Sequence, residues 1–224
     1  MTSRRAAREY LNRNMILVDG KRITKPETKI DVTESIVHFN GKELKYSQFT
    51  YLLMNKPSGV VSATTDKKDK TVIDLLEGHY KKMDLFPVGR LDKDTVGLLL
   101  LTNDGHFAHE MLAPKKHVPK LYYAEIEQDI TQLDIQQFQD GITIEGGYLC
   151  KPAILTVLEK NNHVHVEISE GKFHQVKKMF AAVGKRVFYL KRVKFGNLEL
   201  DANLPEGEYR ELTAEEKNCL ELSK

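Results

Sequence analysis

The residue order predicts an α+β protein, a small N-terminal unit followed by a larger one built on a mixed, largely antiparallel sheet with flanking helices. Three features carry that prediction. Apolar strands recur as neighbours separated by short polar turns, at Asp19-Gly20, at Asn40-Gly41 and at Glu159-Lys160-Asn161-Asn162. Turns of this kind join antiparallel strands. Segments of helical spacing are interspersed with the strands, which mixes the two element types along one chain. The run Leu98-Leu99-Leu100-Leu101 is apolar at every position, so both faces of that strand must be covered.

The first unit is expected over residues 1–45 and the second over 46–224. Arg4 to Asn14 has helical spacing, with Ala6, Ala7, Tyr10 and Leu11 as the inner stripe. Ile16-Leu17-Val18 and Ile23 flank the Asp19-Gly20 turn, and Thr33 to Phe39 forms a further strand closed by Asn40-Gly41. Tyr46 to Thr50 reads as a linker. The second unit opens with the strand Tyr51–Asn55, resumes extended structure at Val60-Val61-Ser62, and passes through a lysine-rich loop, Thr64 to Lys70. Thr71 to Leu76 starts a helix. Leu85-Phe86-Pro87-Val88 leads into a charged loop before the leucine strand, and Asn103-Asp104-Gly105 turns the chain into a helix, His106 to Leu112. Lys120 to Gln128 alternates with period two, placing Tyr122, Ala124 and Ile126 on the inner face. A helix from Ile130 to Phe138 ends at Gly141, and the strands Ala153–Leu158 and Val164–Ile168 form a hairpin. Lys172 to Val183 is helical and capped by Gly184, and a strand from Val187 to Phe195 and a short helix from Thr213 close the chain.

At 224 residues, 41% hydrophobic and 29% charged, the composition is that of an ordinary globular protein. No apolar stretch approaches the roughly 18 residues of a membrane span, and the arginine-rich start lacks the apolar core of a signal peptide. Cys150 and Cys219 are too few and too far apart for a disulfide framework or a metal knuckle, so a cytoplasmic setting is expected. Net charge is only +2, but its distribution is uneven. From Gly171 to Gly196 there is no acidic residue, while Lys172, Lys177, Lys178, Lys185, Arg186, Lys191, Arg192 and Lys194 are basic. Aromatic residues Phe173, Phe180, Phe188, Tyr189 and Phe195 interleave with them, so this is a folded cationic segment suited to a polyanion.

The charged loop Gly89-Arg90-Leu91-Asp92-Lys93-Asp94-Thr95-Val96-Gly97 is the most informative stretch. Anchored to a buried strand, it can hold a carboxylate in fixed geometry. As a calcium loop it fails: the fifth position, which needs an oxygen ligand, is Val96, and the twelfth, which needs a bidentate glutamate, is Asn103. The pattern G-R-L-D, followed by T-x-G-L-L-L-x-T-x-D-G, resembles the signature loop of RNA pseudouridine synthases. That resemblance implies that Asp92 is catalytic.

Two other candidates follow from periodicity and from the same resemblance. In the helix expected from Lys172, the stripe Phe173, Val176, Phe180 and Val183 is apolar and Lys177 borders it, with Lys178 and His174 on the flank. A lysine at such a border can also snorkel to water. Glu170-Gly171-Lys172-Phe173-His174-Gln175-Val176-Lys177-Lys178-Met179 resembles the family segment in which the first basic residue after Gln-Val, here Lys177, pairs with the catalytic aspartate. Lys120-Leu121-Tyr122 resembles the family's K-x-Y strand, which implies that Tyr122 lies under the target uracil, although an inner tyrosine also suits a core position. Asn55-Lys56-Pro57-x-Gly59 matches the family's opening strand and is assigned to structure. Arg90 is expected to hold a phosphate or the flipped nucleotide. Lys172, His174, Lys178, Lys185, Arg186, Lys191 and Arg192 are expected to bind RNA.

Ser3-Arg4-Arg5-Ala6-Ala7 with Ile16-Leu17-Val18-Asp19-Gly20-Lys21 resembles the S4-like RNA-binding domain that precedes this class of synthase, with Arg4 and Arg5 as RNA contacts. The family's helix ahead of the Ser-Arg pair has no room before Met1, so the domain is expected to be short at its N-terminus. His106 and His109 lack a third ligand, which argues against zinc, and His163 and His165 are expected to face solvent. The resemblance implies isomerisation of uridine in ribosomal RNA with no cofactor and no metal, by a monomer acting on a small-subunit assembly intermediate. Phe173 and His174 are like the small-subunit (16S) enzymes, which implies uridine 516. The large-subunit (23S) enzymes more often carry an asparagine-arginine pair there, and they are the alternative. A non-catalytic RNA-binding assembly factor would need none of Asp92, Tyr122 and Lys177.

Overall fold

In the computed structural model, which describes residues 4–13, 16–31, 34–44 and 47–221, the chain forms two units, Met1–Phe49 and Thr50–Lys224. The first begins with α1 (Arg4–Asn12), which buries Leu11 and sets Tyr10 edge-on against Phe39 with ring centroids 4.9 Å apart. Asn14, where the helix was expected to end, lies outside the described residues. Strands β1 (Ile16–Val18), β2 (Lys21–Arg22), β3 (Val37–Phe39) and β4 (Lys42–Leu44) form an antiparallel sheet in the order β2-β1-β3-β4. Asp19 and Gly20 take φ of +50° and +74°, and Asn40 and Gly41 take +48° and +73°. Two left-handed central residues are what a two-residue hairpin turn of this hand requires. The strand expected from Thr33 is confined to β3, and Thr33 itself is not among the described residues.

The second unit comprises β5 (Tyr51–Lys56), β6 (Phe86–Pro87), β7 (Val96–Thr102), α2 (Gly105–Leu112), β8 (Lys120–Ile126) and α3 (Gln132–Asp140). There follow β9 (Thr143–Ile144), β10 (Tyr148–Leu149), β11 (Ile154–Val157), β12 (His163–Ile168), α4 (Gln175–Ala182), β13 (Val187–Phe195), β14 (Leu198–Glu199), β15 (Tyr209–Glu211) and α5 (Ala214–Glu221). The main sheet runs β11-β12-β8-β13-β7-β5-β15, and β13–β7 is its one parallel pairing. Every residue of β7 is buried. Leu99 and Leu101 join one apolar layer with Tyr122, Ala124, Val176 and Phe180, while Leu98 and Leu100 join the other with Phe107, Met111 and Phe195. The all-apolar run is thus sandwiched, as its composition requires. Gly97 makes the parallel pairing possible: at φ +98° it lets β13 approach until a Cβ there would stand 2.3 Å from the Arg192 carbonyl oxygen.

Three sequence expectations are corrected here. Thr71 to Leu76 makes turns, not a helix. Thr71 and Asp74 cap each other (Asp74 Oδ2 accepts from Thr71 N at 2.8 Å), but Gly78 at φ +55° stops the chain within a turn. Val60-Val61-Ser62 is not a strand, because Val61 makes only an isolated parallel bridge to Thr71. The helix expected from Lys172 begins at Gln175, since His174 sits in the left-handed region at φ +53°. Phe173 therefore leaves the inner stripe and is 66% exposed.

Candidate active site

The charged loop is held from beneath by the side chain of Lys56. This lysine is fully buried at the end of β5, and its ammonium donates to the carbonyls of Thr95 (2.8 Å), Asp92 (3.1 Å), Pro57 (3.1 Å) and Lys93 (3.3 Å). Burial pushes its pKa down to about 8, and the carboxylates of Asp94 and Asp92 oppose that shift. The loop is further pinned where Ser62 Oγ donates to Leu91 O and accepts from Leu91 N, both at 3.0 Å, and where Gly59 N donates to Lys93 O at 2.8 Å. The carboxylate of Asp92 thus projects from a backbone with little freedom to move.

Above it, α4 supplies a cation. Lys177 Nζ stands 3.3 Å from Asp92 Oδ2 and 2.5 Å from Asp94 Oδ1, bridging the two carboxylates. Asp92 is 24% exposed and Asp94 71%. Partial burial raises the Asp94 carboxyl, but the hydrogen bond and charge of Lys177 outweigh this and hold it below the usual range. His174 Nε2 lies 3.5 Å from Asp92 Oδ1, because its left-handed backbone turns the ring toward the loop instead of along the helix. Tyr122 is buried on the inner face of β8 and lines the same cleft as Asp92, with Ile168, Leu190, Gln175 and Lys172. The cleft opens to a trough of about 730 Å³ bordered by Arg90, Lys93 and Phe173.

The structure therefore brings Asp92, Tyr122, Lys177, Arg90, Lys172 and His174 together, and it separates several residues of the expected cationic face. Arg192 is only 2% exposed; its Nε donates to Leu98 O at 2.8 Å, so it cannot lie on an open RNA surface. Lys185, with a side chain 12% exposed, is spent on the Asp134 carboxylate at 3.2 Å and the Asp129 carbonyl at 2.7 Å. Lys191 pairs in register with Tyr123 and joins it in a cleft on the sheet face opposite Tyr122. Arg186 is exposed, and Lys178 is half-buried with Glu145 at 3.8 Å. Arg5 is exposed in the first unit, whereas the side chain of Arg4 lies outside the described residues. His163 and His165 are half-buried against Tyr123 instead of facing solvent, with His163 Nδ1 2.6 Å from its hydroxyl. Among the described residues, no group of three or more His, Cys, Asp or Glu is placed to hold a metal, and no helix is long and apolar enough to cross a membrane.

Sequence reasoning missed two features of the site. Asp94 as the second partner of Lys177 was signalled only by standing two positions after Asp92. The approach of His174 to Asp92 had no local signal, since it depends on a backbone conformation uncommon for histidine.

A carboxylate on a braced loop, a lysine bridging it to a second carboxylate and a buried tyrosine meet at one cleft of the mixed sheet, the arrangement of an enzyme active site. Residues 50–182 match the family model described as RNA pseudouridylate synthase, and the chain belongs to that family. It is 46% identical over 221 residues to an uncharacterised RNA pseudouridine synthase, YtzG, of Bacillus subtilis, covering 97% of this chain and 92% of that protein. It is 38% identical over 216 residues to ribosomal small subunit pseudouridine synthase A of Escherichia coli, covering 96% and 92%. A crystal structure of a pseudouridylate synthase superposes with a TM-score of 0.73 at 33% identity, over 97% of this chain and 94% of that one.

Proposed function

We propose that this enzyme converts uridine to pseudouridine in small-subunit ribosomal RNA, at uridine 516 of 16S rRNA, using Asp92 and no cofactor. The observation that carries the chemistry is the Asp92 carboxylate, 3.3 Å from the Lys177 ammonium in the cleft that Tyr122 lines. The reaction cuts the bond between ribose C1′ and uracil N1, turns the base, and rejoins it through C5. The C5 proton leaves and N1 gains one, so nothing is oxidised and no group is imported. Asp92 either adds to C1′ as uracil departs or takes the C2′ proton to give a glycal. Either way the Lys177 charge offsets the carboxylate's in a site partly shielded from water. Tyr122 supports the freed uracil as it turns, and Arg90 and His174 hold the extruded nucleotide at the mouth.

The small-subunit target is supported by relatives named for that substrate and by the Phe173-His174 pair. The first unit serves as an S4-like RNA-binding domain, with Arg4 and Arg5 on phosphates. Lys172, Lys178 and Arg186 extend the RNA contacts around the site, and the protein acts as a cytoplasmic monomer on an assembly intermediate. The test has two parts. Asp92→Asn is expected to abolish pseudouridine formation while leaving RNA affinity within a few-fold, and appreciable turnover would exclude Asp92. Pseudouridine mapping in ribosomal RNA from cells lacking the protein is expected to show a single loss in the small-subunit RNA; a loss in the large-subunit RNA instead would move the assignment there.

A further inference from the structure

Next to the Asp92 cleft, and meeting it at Gly171 and Lys172, is a second cleft of about 250 Å³. It lies beside Leu112 at the end of α2, with Lys120, Tyr148, Lys151, Glu170 and Lys172 on its walls. None of the three lysines has a carboxylate within 4.0 Å among the described residues. Lys120 Nζ donates to Val118 O at 2.7 Å and stands 5.5 Å from the Phe195 ring, while Lys151 Nζ lies 2.9 Å from His117 Nδ1. Lys172 Nζ sits 4.5 Å over the Tyr148 ring. Glu170, the one carboxylate present, is taken by neutral donors: Oε1 accepts from Lys151 N (3.0 Å) and Gln175 Nε2 (2.8 Å), and Oε2 from the Tyr148 hydroxyl (2.8 Å).

A second observation points the same way. The Arg192 guanidinium lies 5.1 Å from the same Phe195 ring, is buried, and leaves Nη2 without a hydrogen-bond partner. Two cations thus share one ring, and among the described residues neither has a carboxylate within 4.0 Å. Uncompensated charge near a protein interior is costly unless an anion arrives to offset it. Burial, followed by the Arg192 charge, pushes the Lys120 pKa down to about 8, and the more distant Glu170 carboxylate opposes the shift without cancelling it.

We infer that this cleft binds a phosphodiester of the RNA strand flanking the target nucleotide, with Lys120 and Lys151 as its ligands. The inference rests on the pseudouridine synthase reading, since it places the substrate strand across Gly171 and Lys172.

The test is equilibrium binding of a single-stranded substrate RNA in which each phosphodiester in turn is replaced by a neutral methylphosphonate. In the unaltered protein, one replacement near the target is expected to weaken binding about tenfold, the scale of a lost charge-assisted hydrogen bond. In Lys120→Met/Lys151→Met that same replacement is expected to cost less than about twofold, and the slope of log affinity against log salt to fall by roughly 0.7, the value for one phosphate neutralised on a single strand. Lys151→Met alone, altering an exposed side chain, is expected to show half the slope change, so the result does not hang on the fold tolerating loss of Lys120. Equal sensitivity to every methylphosphonate in all three proteins, with unchanged slopes, would overturn the inference. Turnover of the parent RNA, scored separately, tests the enzyme reading, because the binding comparison does not depend on chemistry.

Discussion

Lys56 donates to the carbonyl of Asp92 at 3.1 Å, so the carboxylate placed at the centre of the site is positioned through its backbone by a buried lysine 36 residues earlier. The family resemblance assigns the opening strand to structure, and here that structure is the floor of the site.

Lys56→Met keeps the aliphatic stem and leaves the loop carbonyls without their donor. An unsatisfied buried carbonyl costs about 1–3 kcal/mol, which outweighs the relief of removing one buried charge. Loss of about 2–4 kcal/mol in urea unfolding is expected, with a fall in single-turnover rate. The pH dependence is a second readout. With a folded pKa of about 8 against 10.5 when free, Lys56 leaves the unfolded chain holding more protons between those values. Its contribution therefore makes stability rise with pH across that window. The rise should be smaller in the variant; identical pH slopes would contradict it.

Lys177 and Asp94 should separate on kinetics. Lys177→Met removes the charge beside Asp92 and is expected to slow the chemical step by at least ~10² at saturating RNA. Asp94→Asn removes an exposed carboxylate and leaves Lys177 free to settle wholly on Asp92, so less than about tenfold is expected. Lys178→Met should raise the RNA concentration required and spare the single-turnover rate. A slow chemical step in Lys178→Met would displace the assignment by one position.

Asp134 is buried, accepts from Thr131 N at 2.7 Å, and faces Lys185 at 3.2 Å. Burial raises its carboxyl, but the Thr131 bonds and Lys185 hold it below 3.8. Its contribution is therefore complete above pH 3.8 and lost as pH falls through the lower folded value. Asp134→Asn should cost about 2–4 kcal/mol at neutral pH, through the broken buried pair and the lost helix cap. Denaturation at neutral pH and at about pH 3 should show the difference shrinking in acid.

Gly97→Ala puts a methyl group where the Arg192 carbonyl oxygen is 2.3 Å away, at a φ of +98° that side chains rarely adopt. The neighbour is backbone, so β13 must separate from β7. Destabilisation of about 3 kcal/mol or more is expected, read as a lower thermal midpoint; an unchanged midpoint would mean the parallel pairing tolerates a wider spacing.

Much of the architecture was legible because it is decided locally. The alternation of Lys120 to Ile126 sets which face Tyr122 occupies, since a strand's side chains have period two. The all-leucine run dictates a strand covered on both sides, and Asp19-Gly20 and Asn40-Gly41 dictate their turns through the conformations those residues tolerate. The loop bearing Asp92 and the helix bearing Lys177 were also marked in the sequence by residue type and spacing.

What the sequence could not decide by itself depends on partners far along the chain. Arg192 reads as one more cation in a basic run, and only the parallel pairing of β13 with β7 buries it against a carbonyl 94 residues away. Lys185 reads the same way until α3 presents Asp134 to it. His174 has helical neighbours, yet its left-handed backbone stops the helix and turns Phe173 outward. Lys56 looks like a strand's last polar residue, and tertiary packing gives it four carbonyls. Backbone preference and hydrophobic period act over a few residues and can be read directly. Charge burial is set by which elements the folded sheet brings side by side, so a lysine or arginine acquires its role only when the sheet is complete.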